Sequence, residues 1–190
     1  MTTTMKRLLL ISGLLLVSLL AGAQRTSSGE RQIAVTAGTT FSHYGAEVFY
    51  GQYLLRGYWF GGLGFHNRLE IDAPSGEKVF FPRLQGRGGY MYRLLSTYNR
   101  ALSLYGGGDA FVGVEMLDLY RTLSPTTLQS FHNSGFHDYQ FIYGVAPRLE
   151  VELFLSPSLA LLAGGRAPLC FGSPFPVLGW EVSAGAKVNF

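Results

Sequence analysis

The chain ends on Gly179-Trp-Glu-Val-Ser-Ala-Gly-Ala-Lys-Val-Asn-Phe190. Trp180, Val182, Ala184, Ala186, Val188 and Phe190 share one parity, and Glu181, Ser183, Gly185, Lys187 and Asn189 share the other. An unbroken period of two is the mark of a β-strand with one apolar and one polar face. The strand stops on an aromatic residue with no polar tail. A soluble sandwich could end this way. An outer-membrane barrel commonly does, because its closing strand pairs with the first and its aromatic end sits at a membrane interface.

The residues upstream fit that second reading. The 190 residues suffice for one domain; only 14% are charged, whereas Gly (25), Phe (14) and Tyr (11) are abundant. Lys6 and Arg7 precede an apolar run, Leu8 to Leu20, and then Ala21-Gly22-Ala23. That order predicts a signal peptide over 1–23, cleaved after Ala23, and an exported chain. Residues 24–31 read as a short periplasmic lead and 32–190 as the barrel domain. Without Lys6 and Arg7, thirteen Lys and Arg face twelve Asp and Glu, so basicity gives no reason to expect nucleic-acid binding. Cys170 is the single cysteine, so no internal disulfide is possible. No later apolar run approaches a transmembrane helix; a membrane would have to be crossed by strands.

Alternation along the chain predicts eight strands. The first runs from Gln32 to Phe41, with a turn at Ser42–Gly45, and the second from Ala46 to Leu54. In the third, Trp59, Leu63, Phe65, Leu69 and Ile71 oppose His66, Arg68, Glu70 and Asp72; in the fourth, Phe80, Leu84, Tyr90 and Tyr92 oppose Arg83, Gln85 and Arg87. Pro82 predicts a bulge or a strand start, since it removes a ladder donor. The fifth strand spans Leu102–Met116, with Gly106-Gly107-Gly108 free to bend. The sixth spans Phe141–Leu155, the seventh Leu159 to about Ala167, and the last closes the chain. Residues 117–139 and 168–176 read as irregular loops. With both ends periplasmic, the short turns fall on the periplasmic side and both long loops on the other, as outer-membrane barrels require. The fold class is therefore all-β, an eight-stranded antiparallel outer-membrane-type barrel.

In such a barrel the polar parities point inward. Arg68, Glu70, Arg83, Arg87, Arg148, Glu150, Glu152, Arg166, Glu181 and Lys187 then form a lumen ion-pair network. Trp180, Val182, Val188 and Phe190 belong to the closing strand and face lipid. An interior of eight strands is just wide enough for its own side chains, so no wide channel is expected. Contact with partners falls to the loops, where Phe131, His132, Phe136, His137, Phe171 and Phe175 expose apolar and imidazole groups. The lipid face should resist charge more than the lumen does, which Val151→Arg against Glu150→Gln compares.

Catalytic chemistry is sparse. Ser130, His132, His137 and Asp138 share one loop, a poor frame for a triad, and no nucleophile elbow is present. Two histidines five apart lack enough further ligands for a metal. The glycine triplet lacks the Lys-Ser/Thr of a phosphate loop. Glu150 and Glu152 beside Arg148 read as ion pairing rather than an acid–base couple. No enzyme activity, metal or cofactor is expected.

Several segments carry a family resemblance: Gly88-Gly89-Tyr90-Met91-Tyr92-Arg93-Leu94-Leu95-Ser96, Phe141-Ile142-Tyr143-Gly144, and Leu149-Glu150-Val151-Glu152-Leu153-Phe154-Leu155-Ser156. Leu161-Leu162, Arg166, Gly172-Ser173 and the Gly185-x-Lys187 ending follow in order. Together they resemble the TraO family of Bacteroidetes-type conjugative transposon transfer proteins. The resemblance implies a non-enzymatic outer-membrane part of a type IV-like secretion apparatus in a Gram-negative bacterium. It would sit among outer-membrane lipid and contact other conjugative transfer proteins. The alternatives are a stand-alone barrel for adhesion or surface protection and a lipid-modifying barrel enzyme.

Overall fold

The structure is a computed structural model that describes residues 28–39, 43–71, 78–97, 101–116, 129, 133, 139–173, 175 and 177–190. The predicted signal segment and most of the loop after residue 116 lie outside the described residues. Among the described residues nine strands follow one another: β1 (Arg31–Thr39), β2 (His43–Leu54), β3 (Gly57–Ile71), β4 (Lys78–Ser96), β5 (Leu102–Met116), β6 (Tyr139–Ser156), β7 (Leu159–Arg166), β8 (Leu169–Phe171) and β9 (Glu181–Asn189). Each pairs antiparallel with its neighbour in the wall. The wall closes because β9 returns to β1, from Thr39↔Val182 to Gln32↔Asn189. Reciprocal backbone bonds of 3.0 Å between Arg31 and Phe190 complete that seam.

β7 and β8 both pair with β6 and form one wall strand interrupted at Ala167-Pro168, so the barrel has eight wall strands. Part of the predicted loop 168–176 is therefore strand. The interruption has a local cause, because Pro168 has no N–H to continue the ladder. The chain resumes where Gly179 N–H donates to the Pro168 carbonyl at 2.9 Å and Cys170 N–H donates to the Val177 carbonyl at 2.7 Å.

The pairing register fixes the barrel's shape. The row from Tyr92 in β4 passes through Gly106, Leu149, Gly165, Val182, Thr39, Tyr44 and Asn67 and re-enters β4 at Pro82, ten residues from its start. With eight strands at standard spacings this shear gives a tilt of about 40° and a backbone radius of about 8 Å. Pro82 is neither a bulge nor a strand start. It pairs with Asn67 on one side and lies beyond Arg83↔Glu115, the end of the β4–β5 ladder, on the other. The β4–β5 irregularity falls instead between Arg93 and Leu95. Pairing runs unbroken through Gly106, Gly107 and Gly108 on both sides.

The apolar parity faces outward. Val35, Val48, Leu63, Leu84, Val112, Val145, Val182 and Val188 are all exposed, Leu63 at 66%. Outward aromatic residues fall in two bands. Tyr50, Trp59, Tyr90, Tyr92 and Phe190 lie toward the end that holds both termini; Tyr44, Phe65, Phe141, Tyr143, Phe171 and Trp180 lie toward the other. An apolar belt between aromatic girdles is the surface that a membrane barrel presents to lipid. Among the described residues no helix is long and apolar enough to cross a membrane. The connections between β2 and β3, β4 and β5, and β6 and β7 share an end with the termini, and the long connection after β5 lies at the opposite end, as the alternation predicts.

Candidate functional site

The inward parity builds a stack of charged and aromatic layers along the barrel axis. Nearest the termini, Tyr53, Tyr58 and Tyr105 meet edge to face, with ring centroids 5.5 and 5.2 Å apart around Tyr58. Tyr53 donates to Glu152 at 2.7 Å, and Tyr58 donates to Glu150. Lys187 is bonded to Glu152, lies 3.6 Å from Glu150, and stands 4.1 Å over the Tyr58 ring. The phenols and the ammonium thus partner one oxygen of each of two carboxylates that burial would otherwise penalise severely, while Glu152 Oε2 has no hydrogen bond among the described residues.

Arg148 links this layer to the next. It donates to Glu150 at 2.7 Å and lies over Phe49 and Phe60 at 5.4 and 5.5 Å. Above it, Glu47 gathers Arg87 (2.5 Å), His66 (2.9 Å) and Arg166 (3.2 Å). Arg166 also grips Glu181 through Nε and Nη2 at 3.0 and 2.8 Å and approaches Asp109 at 4.0 Å. Gln85 Nε2 lies 3.1 Å from His66 Nε2.

The layer nearest the far mouth centres on Glu115. Arg83 donates to its Oε1 at 2.7 Å, and Ser173 donates to its Oε2 at 2.7 Å. Phe175 packs edge-on against Phe81 at 5.0 Å, with the Arg68 guanidinium 3.5 Å over its ring. Gly172, at φ +82°, makes the turn into this layer. A Cβ there would stand 2.2 Å from the Phe141 carbonyl oxygen, so only glycine fits.

Of the residues predicted for the lumen network, Arg83, Arg87, Arg148, Glu150, Glu152, Arg166, Glu181 and Lys187 join these clusters. Arg68 reaches the same mouth through Phe175, and the side chain of Glu70 lies outside the described set. The sequence reading of the network missed Glu47, His66 and Asp109. Glu47 shares parity with Phe49 and Tyr53, and aromatic residues on both faces of β2 hid which face is the lumen. Trp180, Val182, Val188 and Phe190 are exposed on the outer wall. Phe131, His132, Phe136 and His137 lie outside the described residues. Phe171 belongs to β8, where its ring stacks on Tyr143 at 5.7 Å on the outer face, not to a loop. Phe175 is half-buried in the mouth rather than fully exposed.

Glu47, His66 and Glu181 could present ligand atoms within 4.8 Å of one another. Two guanidiniums already occupy those carboxylates, and their charge opposes a cation. A cavity of about 10 Å³ among Gln32, Phe49, Tyr58, Phe60, Arg148 and Lys187 matches about one water molecule. Among the described residues the inward side chains thus fill the lumen with salt bridges and rings.

Known structures give the fold independent support. Neisserial surface protein A aligns with a TM-score of 0.55 at 15% identity, covering 86% of this chain and 98% of that one. A major outer membrane protein from Thermus thermophilus aligns at 0.52 and 12% identity, covering 86% and 100%. Ail, the attachment invasion locus protein of Yersinia pestis, aligns at 0.51 and 14% identity, also covering 86% and 100%. At these identities the likeness extends to the outer-membrane barrel fold alone. No curated protein matches the chain. The family model described as conjugative transposon protein TraO matches residues 33–190, the whole wall from the third residue of β1 to the terminal phenylalanine, and the chain therefore belongs to the TraO family.

Proposed function

We propose that this protein is a non-enzymatic outer-membrane component of a conjugative transfer apparatus of the type IV-like kind. The family match over residues 33–190 carries the reading. The apolar belt and its two aromatic girdles support placement in the outer membrane, reached through the signal segment at residues 1–23. The filled lumen supports a role as a scaffold: DNA and folded proteins are far wider than the space between Arg148, Glu150 and Lys187. Its partners in this reading are membrane lipid and other transfer proteins, met at the loops or the periplasmic rim, with no direct contact to DNA. A stand-alone adhesion barrel shares the fold and has no family match behind it.

The test is transfer frequency from donors carrying a clean in-frame deletion, with and without the wild-type gene in trans. The expected result is a collapse in transfer that complementation restores, with donor growth and outer-membrane integrity unchanged. Normal transfer from the deletion donor would overturn the proposal.

A further inference from the structure

We propose that the rim holding both termini binds the phosphate of an anionic phospholipid through Arg31 and Arg56. The inference rests on the outer-membrane placement proposed above and adds the lipid class and the residues that meet it. Arg83, Arg87, Arg148, Arg166 and Lys187 all turn inward onto carboxylates. Arg31 and Arg56 are instead exposed, and neither meets a carboxylate among the described residues.

Arg31 opens β1 with the parity of Ile33 and Val35, which face lipid. Its backbone bonds Phe190; it pairs with Gln52, Gln52 with Trp59, and Trp59 with Tyr90. A guanidinium therefore stands in one row of the aromatic girdle, where hydrocarbon gives way to headgroups. Arg56 lies in the turn between β2 and β3. Arg93 fixes that turn, donating from its backbone N–H to the Arg56 carbonyl at 2.8 Å and from Nη2 to the Leu55 carbonyl at 2.7 Å. A Cβ on Gly57 would stand 2.8 Å from Tyr90 Oη, so a phenol hydroxyl lies beside the same turn. Guanidinium and phenol are both donors suited to phosphate oxygens.

The sign of the charge is particular to this end. Residues 24–31, 55–56 and 97–101 contain Arg25, Arg31, Arg56 and Arg100 against Glu30 alone. Residues 72–77 and 117–138, which connect strands at the opposite end, contain Asp72, Glu77, Asp118 and Asp138 against Arg121. Charge complementarity thus selects an anionic headgroup for the rim that holds the termini. Each arginine near such a surface is worth roughly fivefold in affinity.

The chain has two tryptophans, Trp59 in this girdle and Trp180 in the other. The test uses the full mature chain carrying Trp180→Phe, refolded in phosphatidylcholine vesicles, with insertion checked by heat-modifiable mobility on gels. Part of the lipid is replaced by phosphatidylglycerol or phosphatidylcholine brominated in the acyl chain, and quenching of Trp59 is compared at equal mole fraction and ionic strength. Brominated phosphatidylglycerol should quench more strongly, by a preference of roughly fivefold or more. Arg31→Gln with Arg56→Gln should abolish the preference, and Arg31→Lys with Arg56→Lys should keep most of it. Trp180, read in Trp59→Phe, should show none. Equal quenching by the two lipids would overturn the inference, as would a preference that survives the Gln pair or appears equally at Trp180. Loss of the preference to inorganic phosphate at constant ionic strength would make free phosphate the occupant and overturn the lipid. A chain that never inserts would sink the membrane placement and the inference together; an inserted barrel without lipid preference would sink the inference alone.

Discussion

Glu47 and Val48 are neighbours in sequence and face opposite solvents. Val48 is 52% exposed on the belt between Tyr44 and Tyr50, while Glu47 is enclosed by Arg87, Arg166 and His66. Val48→Arg should destabilise the inserted barrel by about 2–4 kcal/mol, the cost of a guanidinium near the middle of the hydrocarbon. Glu47→Gln should cost about 3–5 kcal/mol, because two buried arginines lose their shared counter-charge. Urea unfolding from vesicles measures both, and near-neutral behaviour of either would show that the faces are misassigned. The same geometry revises the expectation that the lumen tolerates Glu150→Gln better than the wall tolerates Val151→Arg. Glu150 accepts from Tyr58 and Arg148 beside Lys187, so neutralising it removes a counter-charge from two buried cations.

At the scale of elements, closure depends on the seam between β1 and β9. Phe190 supplies one strand end of that seam through its reciprocal bonds with Arg31 and places its ring outside on the wall. Deleting Phe190, or replacing it with Ser, should reduce insertion and leave protein in the periplasm, as fractionation of cells would show. Unchanged outer-membrane levels would mean that β9 closes the barrel without its terminal ring. The wall was legible because strands that bury charged and polar side chains on one face and meet lipid on the other alternate cleanly, as β6 and β9 do. Legibility failed where that contrast vanished. β2 carries aromatic residues on both faces, so Glu47 could not be assigned. β8 is three residues long behind a proline, too short to show a period. The inward turn of Phe175 depends on Arg68 and Phe81, which are remote in sequence. No local pattern announces it.

For the whole molecule, a lumen packed from Tyr53 at one end to Phe175 at the other forbids diffusive passage. Vesicles loaded with this barrel should show no more swelling in small sugars than empty vesicles do. Permeation at porin-like rates would contradict the filled interior. The strands that enclose that interior differ in length: β3 to β6 run 15, 19, 15 and 18 residues, whereas β1 and β9 have 9 each. A bilayer needs only about 9–11 residues of tilted strand. The surplus on β3–β6 rises past the lipid as a parapet on one flank, while the opposite flank ends near the headgroups. Seen from outside the cell, the barrel therefore has a compass bearing. Among the described residues the upper edge of its wall is a step rather than a level ring.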